Sequence, residues 1–303
     1  MVGTTRPEVV LITGCSSGIG RAAAISLHET GLRVYATARR MGALTDLTSR
    51  GIETLALDVT DESSMTRAVA AVEADAGGVS VLINNAGYGL YGPVEQQPMA
   101  EIRRQFETNF FGLVRLTQLV LPGMRRRSGG RILNVSSMGG RATLPGGAFY
   151  HASKYAVEAL SDALRMEVAL FGIHVVLIEP GPVNTPWNEV AAASMSTAVP
   201  GAPGAGVAGA AGSDADDTVA RDPYAAYKSA VSASFVTAQT GLLARLGSTA
   251  EDIAKVITHA VTTPRPRTRY LINPLAKSVV AMNRLLPGRA YDAILRRQYG
   301  LPH

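Results

Sequence analysis

Tyr150 and Lys154 stand four positions apart in the run Tyr150-His151-Ala152-Ser153-Lys154. On a helix, that spacing puts a phenol and an ammonium on one face, within reach of a single ligand. A free tyrosine titrates near pH ~10, so to give or take a proton at neutral pH it needs a neighbouring positive charge that favours the phenolate. Lys154 is placed to supply that charge. Both residue types are ordinary in amphipathic helices, so the pair gains its weight from what surrounds it.

A second chemical group lies near the amino terminus. Thr13-Gly14-Cys15-Ser16-Ser17-Gly18-Ile19-Gly20 spaces its glycines as G-x-x-x-G-x-G, a variant of the commoner dinucleotide fingerprint. Glycine permits open backbone angles, lets the chain approach a diphosphate closely, and leaves the first N–H groups of the following helix aimed at the anion. Further on the chain reads Tyr35-Ala36-Thr37-Ala38-Arg39-Arg40. No acidic residue stands there to bind a ribose 2′-hydroxyl, and two guanidiniums are available for a 2′-phosphate. The pattern favours NADP over NAD, with Arg39 reading the phosphate.

These residues need elements to hold them. Residues 9–12 form a short apolar, β-branched run, followed by the glycine loop and a helix over 21–29 that Gly31 ends. Strands over 33–36, 54–57, 79–83, 131–135 and 174–178 then alternate with helical stretches over 62–76, 99–127 and 149–171. Such alternation predicts an α/β fold with a doubly wound parallel sheet of about seven strands. The strands are apolar at nearly every position, as expected where helices cover both faces.

Residues 191–217 carry almost no large apolar side chain and read as a mobile loop within a flexible substrate-loop region spanning 186–246. Residues 224–246 look helical. Ser248-Thr249-Ala250-Glu251, just before Ile253, matches a capping box built on Ser248 and Glu251, and a last strand is expected at 269–272. In the tail, 274–303, apolar residues alternate with basic ones from Lys277 to Arg297. It reads as a helical extension docked on the domain rather than lying on an anionic membrane.

A chain of 303 residues, 47% hydrophobic and 17% charged, is expected to form one domain over 1–303. No apolar run reaches the roughly 18 residues of a membrane span. Cys15 is the only cysteine, which excludes an internal disulfide. With no apolar signal core at the start, a reducing, cytoplasmic setting is expected. Close packing explains Cys15 better than thiol chemistry does. The five histidines show no metal-ligand spacing, so no metal is expected. Ser137 and Ser153 lack the G-x-S-x-G elbow of a hydrolase. The net charge of +5 comes from scattered arginines and gives no basis for a nucleic-acid partner.

Read jointly, the motifs resemble the short-chain dehydrogenase/reductase family over residues 9–185. TGCSSGIG, Asp58-Val59, Asn84-Asn85-Ala86-Gly87, Asn109, Ser136-Ser137, Tyr150-x-x-x-Lys154 and Pro180-Gly181 occur in the family's order and approximate spacing. TGCSSGIG with YATARR is most similar to the branch containing hydroxysteroid and retinol dehydrogenases.

The resemblance implies a Rossmann-like fold and hydride transfer between NADP(H) and a small-molecule alcohol or carbonyl, here a bulky apolar one. Tyr150 would be the acid or base, and Ser137 would hold the reacting oxygen. Ser136 is the competing serine, and the step of thirteen positions from Ser137 to Tyr150 favours Ser137. Lys154 would bind the nicotinamide ribose and depress the Tyr150 pKa, and Asn109 would support a water linking Lys154 to solvent. Gly14, Ser16, Ser17, Gly18, Ile19 and Gly20 would hold the diphosphate.

By the same resemblance, Asp58 and Val59 would flank the adenine, while Asn85, Ala86 and Gly87 would wall the adenosine ribose. Pro180 and Gly181 would lead into Val183 and Thr185, which would touch the nicotinamide. A homo-oligomer pairing the helices over 99–127 and 149–171 is expected. The rival reading is a non-catalytic NADP-binding regulator of the same fold. The presence of Asn109, Ser137, Tyr150 and Lys154 together favours the enzyme.

Overall fold

The structure, a computed structural model, describes residues 8–183, 191, 194–195, 222–240 and 247–301. Thr185 and nearly all of the expected loop over 191–217 lie outside the described residues, as do 241–246 of the expected helix.

Seven parallel strands form one sheet: β1 (Val9–Ile12), β2 (Arg33–Ala38), β3 (Glu53–Ala56), β4 (Val81–Asn84), β5 (Gly130–Val135), β6 (Ile173–Pro180) and β7 (Arg269–Ile272), in the order β3-β2-β1-β4-β5-β6-β7. The order reverses between β1 and β4, the crevice where open α/β sheets bind their ligands. Helices α1 (Gly18–Glu29), α2 (Thr45–Ser49), α3 (Glu62–Ala76), α4 (Met99–Phe106), α5 (Gly112–Arg126), α6 (Ala148–Val168) and α7 (Ala225–Thr240) precede α8 (Ala250–Thr262), α9 (Pro274–Leu285) and α10 (Gly288–Tyr299).

The central strands are buried on both faces, as their sequences predict. One core joins Val10, Ile12, Val34, Ile83 and Val176 to Ala23 and Leu27 of α1 and to Ile253 and Ile257 of α8. A second, on the other face, joins Leu11, Leu82, Ile132 and Val175 to Val69 of α3 and to Leu116 and Val120 of α5. The edges depart from the apolar expectation. Glu53 to Leu55 of β3 and all of β7 are only half-buried, because an edge strand has one neighbour to cover it.

Two local expectations are corrected. Residues 99–127 are not one helix: a π-helical turn over Glu107–Phe111 separates α4 from α5. The extra residue in that turn directs Asn109 inward, and the sequence period carries no mark of it. The capping box of α8 is Thr249 with Asp252, not Ser248 with Glu251. The Thr249 hydroxyl accepts from the Asp252 N–H at 3.2 Å, and the Asp252 carboxylate accepts from the Thr249 N–H at 3.0 Å. Ser248 is instead held outside the helix, where its N–H donates to the Pro182 carbonyl at 3.0 Å.

Helices α9 and α10 dock on the domain. Ala276, Val280, Tyr291 and Leu295 are buried, the Asn283 amide donates to the Arg141 carbonyl at 2.9 Å, and the Tyr291 hydroxyl donates to the Thr143 carbonyl at 3.3 Å. Among the described residues, no helix is long and apolar enough to cross a membrane.

Candidate active site

A cavity of about 870 Å³ runs along the carboxyl edge of the sheet. Its first wall is the glycine loop. Gly14 and Gly18 have φ of +75° and +56°, a region that costs any residue with a Cβ. Gly14 also has Ala86 Cα only 2.9 Å from where a Cβ would stand, so the loop lies directly on the chain leaving β4. Ser17 is the N-cap of α1, yet its side chain makes no capping hydrogen bond, which leaves the first-turn N–H groups open toward the cavity.

Gly14, Ser16, Ser17, Gly18 and Ile19 line the cavity. Gly20 does not: it packs behind the loop, where a Cβ would run into Asn85 Nδ2 and lie 2.5 Å from the Gly14 carbonyl oxygen. Cys15 is fully buried, and burial pushes its thiol up to about 12, in keeping with a packing role.

The next walls come from the ends of β2, β3 and β4. Arg39 lines the cavity and Arg40 does not; among the described residues, Arg39 has no carboxylate partner. Asp58, Val59, Asn85, Ala86 and Gly87 also line it. Asp58 is engaged locally, its carboxylate accepting from Thr60 N–H at 2.9 Å. Asn85 clasps the glycine loop, donating from Nδ2 to the Thr13 carbonyl at 2.9 Å. These close backbone approaches and the open helix N-terminus fit the diphosphate of a dinucleotide.

Ser137, Tyr150 and Lys154 meet in the middle of the cavity. On α6 the buried positions Tyr150, Lys154, Val157, Ser161, Leu164 and Val168 recur at helical spacing, which turns the phenol and the ammonium to the sheet together. Ser137 lies beside the phenol in the cavity, and its Oγ accepts from the Gly139 N–H at 3.0 Å. Lys154 Nζ donates to the Val135 carbonyl at 2.8 Å and lies 6.0 Å from the Tyr150 ring centre.

Burial lowers the Lys154 pKa to about 8, against the pull of Glu158 one turn on. Glu158 in turn pairs with Arg269 of β7 at 3.2 Å, tying the helix to the sheet edge. Burial raises the Tyr150 phenol to about 12, and the neighbouring Ser137 hydroxyl opposes that rise in part.

Asn109 belongs to the cluster without lining the cavity. Its Nδ2 donates to the Tyr88 carbonyl at 2.9 Å and to Ser153 Oγ at 3.1 Å, and its Oδ1 accepts from the Tyr88 N–H at 3.0 Å. Pro180, Gly181 and Val183 complete the wall beyond β6.

The far end of the cavity was not foreseen from the sequence. Tyr91 and Leu144 line it, together with Leu275, Val279 and Met282 of α9 and Leu295, Gln298 and Tyr299 of α10. The Tyr91 ring packs 5.8 Å from that of Tyr150. His151 also lines the cavity, with its ring 5.5 Å from Tyr150. Its position next to Tyr150 was the only available hint.

Comparison with known proteins agrees with this geometry. The short chain dehydrogenase family profile matches residues 8–195. The chain is 34% identical to the uncharacterized oxidoreductase YbbO of Escherichia coli (strain K12), over 98% of this chain and 97% of that one. It is 35% identical to retinol dehydrogenase 8 of Bos taurus, over 93% of this chain and 86% of that one. The crystal structure of a short-chain dehydrogenase from Streptomyces avermitilis superposes with a TM-score of 0.73 at 33% identity, covering 96% of this chain and 95% of that one.

Proposed function

The chain belongs to the short-chain dehydrogenase/reductase family of oxidoreductases, which act on alcohols and carbonyls, and from that premise we propose that it transfers hydride between NADP(H) and a bulky apolar alcohol or carbonyl compound, with Tyr150 as acid and base. The observation that carries this reading is the gathering of Ser137, Tyr150, Lys154 and Arg39 along one cavity.

Bound NADP(H) would supply or accept the hydride and, when oxidised, place a positive ring near the phenol. Gly14, Ser16, Ser17, Gly18 and Ile19 would offer backbone and hydroxyl donors to the diphosphate, with Gly20 allowing the loop to close behind them. Arg39 would pair with the 2′-phosphate. Asp58 and Val59 would flank the adenine, and Asn85, Ala86 and Gly87 the adenosine ribose. Lys154 would bind the other ribose, while Pro180, Gly181, Val183 and Thr185 would wall the nicotinamide.

Ser137 would hold the reacting oxygen. In reduction the carbonyl carbon gains the hydride and its oxygen takes the Tyr150 proton; oxidation reverses both transfers. Asn109 would act behind this group, holding the Gly87-Tyr88 chain and Ser153 in place and so supporting proton exchange at Lys154.

The apolar end formed by Tyr91, Leu144, Val279, Met282 and Leu295 supports the bulky apolar substrate. Exposed Phe111, Tyr155, Met166 and Leu170 support self-association through the α5 and α6 side of the molecule.

The test is a fluorescence titration with NADPH and NADH, repeated on Arg39→Asp, followed by turnover of a panel of carbonyls from short polar to long lipophilic. Tighter NADPH binding that Arg39→Asp weakens about 10- to 100-fold, with turnover rising toward the lipophilic members, is the expected result. Equal or tighter NADH binding overturns the cofactor assignment, and turnover confined to short polar carbonyls overturns the substrate class.

A further inference from the structure

His151 lines the cavity beside Tyr150, yet neither ring nitrogen is available as an acid or base. Its Nδ1 lies 2.9 Å from the Gly139 carbonyl oxygen, and its Nε2 lies 3.2 Å from the Leu144 nitrogen. A backbone N–H can only donate, so Leu144 makes Nε2 the acceptor. The ring proton is then on Nδ1, where it donates to Gly139. This is a neutral imidazole with both nitrogens satisfied by backbone.

The surroundings are shaped to that ring. A Cβ on Gly139 would stand 2.5 Å from Nδ1, and one on Gly147 would stand 2.7 Å from Nε2, so the imidazole fills a slot between two glycines. The Tyr91 ring closes over it edge-on at 6.4 Å.

His151 thus reaches the short turn that carries Ser137: it holds the carbonyl of Gly139, whose own N–H donates to Ser137 Oγ at 3.0 Å. Ser137 and Tyr150 line the same cavity, so this chain of contacts from the residue next to Tyr150 fixes how Ser137 faces the phenol. The other nitrogen ties down Leu144, part of the apolar wall.

We propose that His151 is a positioning residue that sets Ser137 against the reacting oxygen through Gly139 and holds the substrate wall in place through the Leu144 amide. The proposal rests on the reading of Tyr150 and Ser137 given above. It assigns the two nitrogens separate duties.

The first test uses the unaltered protein. With ¹⁵N-histidine labelling, one imidazole is expected to keep the Nδ1–H tautomer, with an unprotonated Nε2, from pH 8 down to about 5, since burial lowers its pKa to about 4. The titratable rings packed against it, Tyr91 and Tyr150, are phenols raised by burial and remain neutral over that range. An Nε2–H tautomer at His151, or its titration near the free value of ~6.5, overturns the proposal. His151→Phe identifies the signal by its disappearance.

The second test separates the duties. His151→Gln reaches the Nε2 position and can keep the Leu144 bond while losing Gly139. His151→Asn offers a donor at the Nδ1 position and can keep Gly139 while losing Leu144. With NADPH saturating and the best carbonyl of the panel as substrate, Gln is expected to lower kcat about 10- to 100-fold with KM little changed. Asn is expected to raise KM about tenfold with most of kcat kept. NADPH affinity should match the unaltered protein in both variants.

Identical kinetic behaviour of Asn and Gln, or kinetics of the unaltered protein in both, overturns the division of duties. If Tyr150→Phe keeps full turnover while the tautomer is as stated, the acid-base reading has failed and the placement of His151 stands.

Discussion

The two ends of the cavity are built from different materials. The end beside the glycine loop is largely backbone: Gly14 and Gly18 at positive φ, the open first turn of α1, and the chain after β4 pressed against Gly14. The end beneath α9 and α10 is side chain, made of Leu275, Val279, Met282 and Leu295 with Tyr91 and Leu144 facing them. A backbone wall has no spare volume and no rotamers, so it should fail when a single methyl group is added. A side-chain wall can repack and should lose function gradually as atoms are removed.

The largest effect belongs where the two ends meet. Tyr150→Phe keeps the ring that packs on Tyr91 and removes only the hydroxyl proposed to carry the proton. Turnover is expected to fall on the order of 10³-fold, while NADPH titrations and thermal unfolding stay near those of the unaltered protein. Retained turnover would mean that the proton moves by another route and that the contrast between the two ends has no chemical centre.

Gly20→Ala tests the backbone end. The new methyl group has no room beside Asn85 Nδ2 and the Gly14 carbonyl, so the loop must shift by a substantial fraction of an ångström. NADPH affinity is expected to fall about 100-fold, in line with an overpacking cost of roughly 1–3 kcal/mol. Unchanged binding by isothermal titration would show that the loop yields as readily as a side chain does.

The same difference explains what could be read from the sequence. A backbone wall needs glycine at fixed places, and TGCSSGIG, Asn85-Ala86-Gly87 and Pro180-Gly181 are local signals of that need. Arg39 was legible because it follows β2 directly. Leu275, Met282 and Leu295 were not, because an amphipathic helix shows the same apolar stripe whether it covers a core or a ligand. Asn109 was found by its motif, while the π-helical turn that directs it inward was missed. Phe106, Phe110 and Leu113 keep ordinary helical spacing across that turn, so nothing in the period marks the extra residue. His151 and Tyr91 matter through backbone and ring partners that only the fold brings near.

Met282→Ala tests the side-chain end. Shortening this cavity-lining residue leaves neighbours free to repack. KM for the bulkiest lipophilic carbonyl is expected to rise about tenfold and that for the shortest to change little, with NADPH affinity unaffected. A uniform rise across the panel would mean that α9 affects the fold of the site rather than its selectivity.

The smallest effect lies in the wall after β6, where Val183 bridges to Ser248 just before α8. Here side chain and backbone duties fall on neighbouring residues. Thr249 caps the helix with its hydroxyl, whereas Ser248 meets Pro182 through its backbone N–H and receives only a 3.4 Å contact from Asn273 on its hydroxyl. Thr249→Ala should therefore cost about 1 kcal/mol of stability, and Ser248→Ala, which keeps the backbone bond, less than about 0.5 kcal/mol. Chemical denaturation of both variants measures the difference. The reverse order would restore the cap to Ser248 and make the wall beside Val183 depend on a side chain, which would blur the boundary between the two ends.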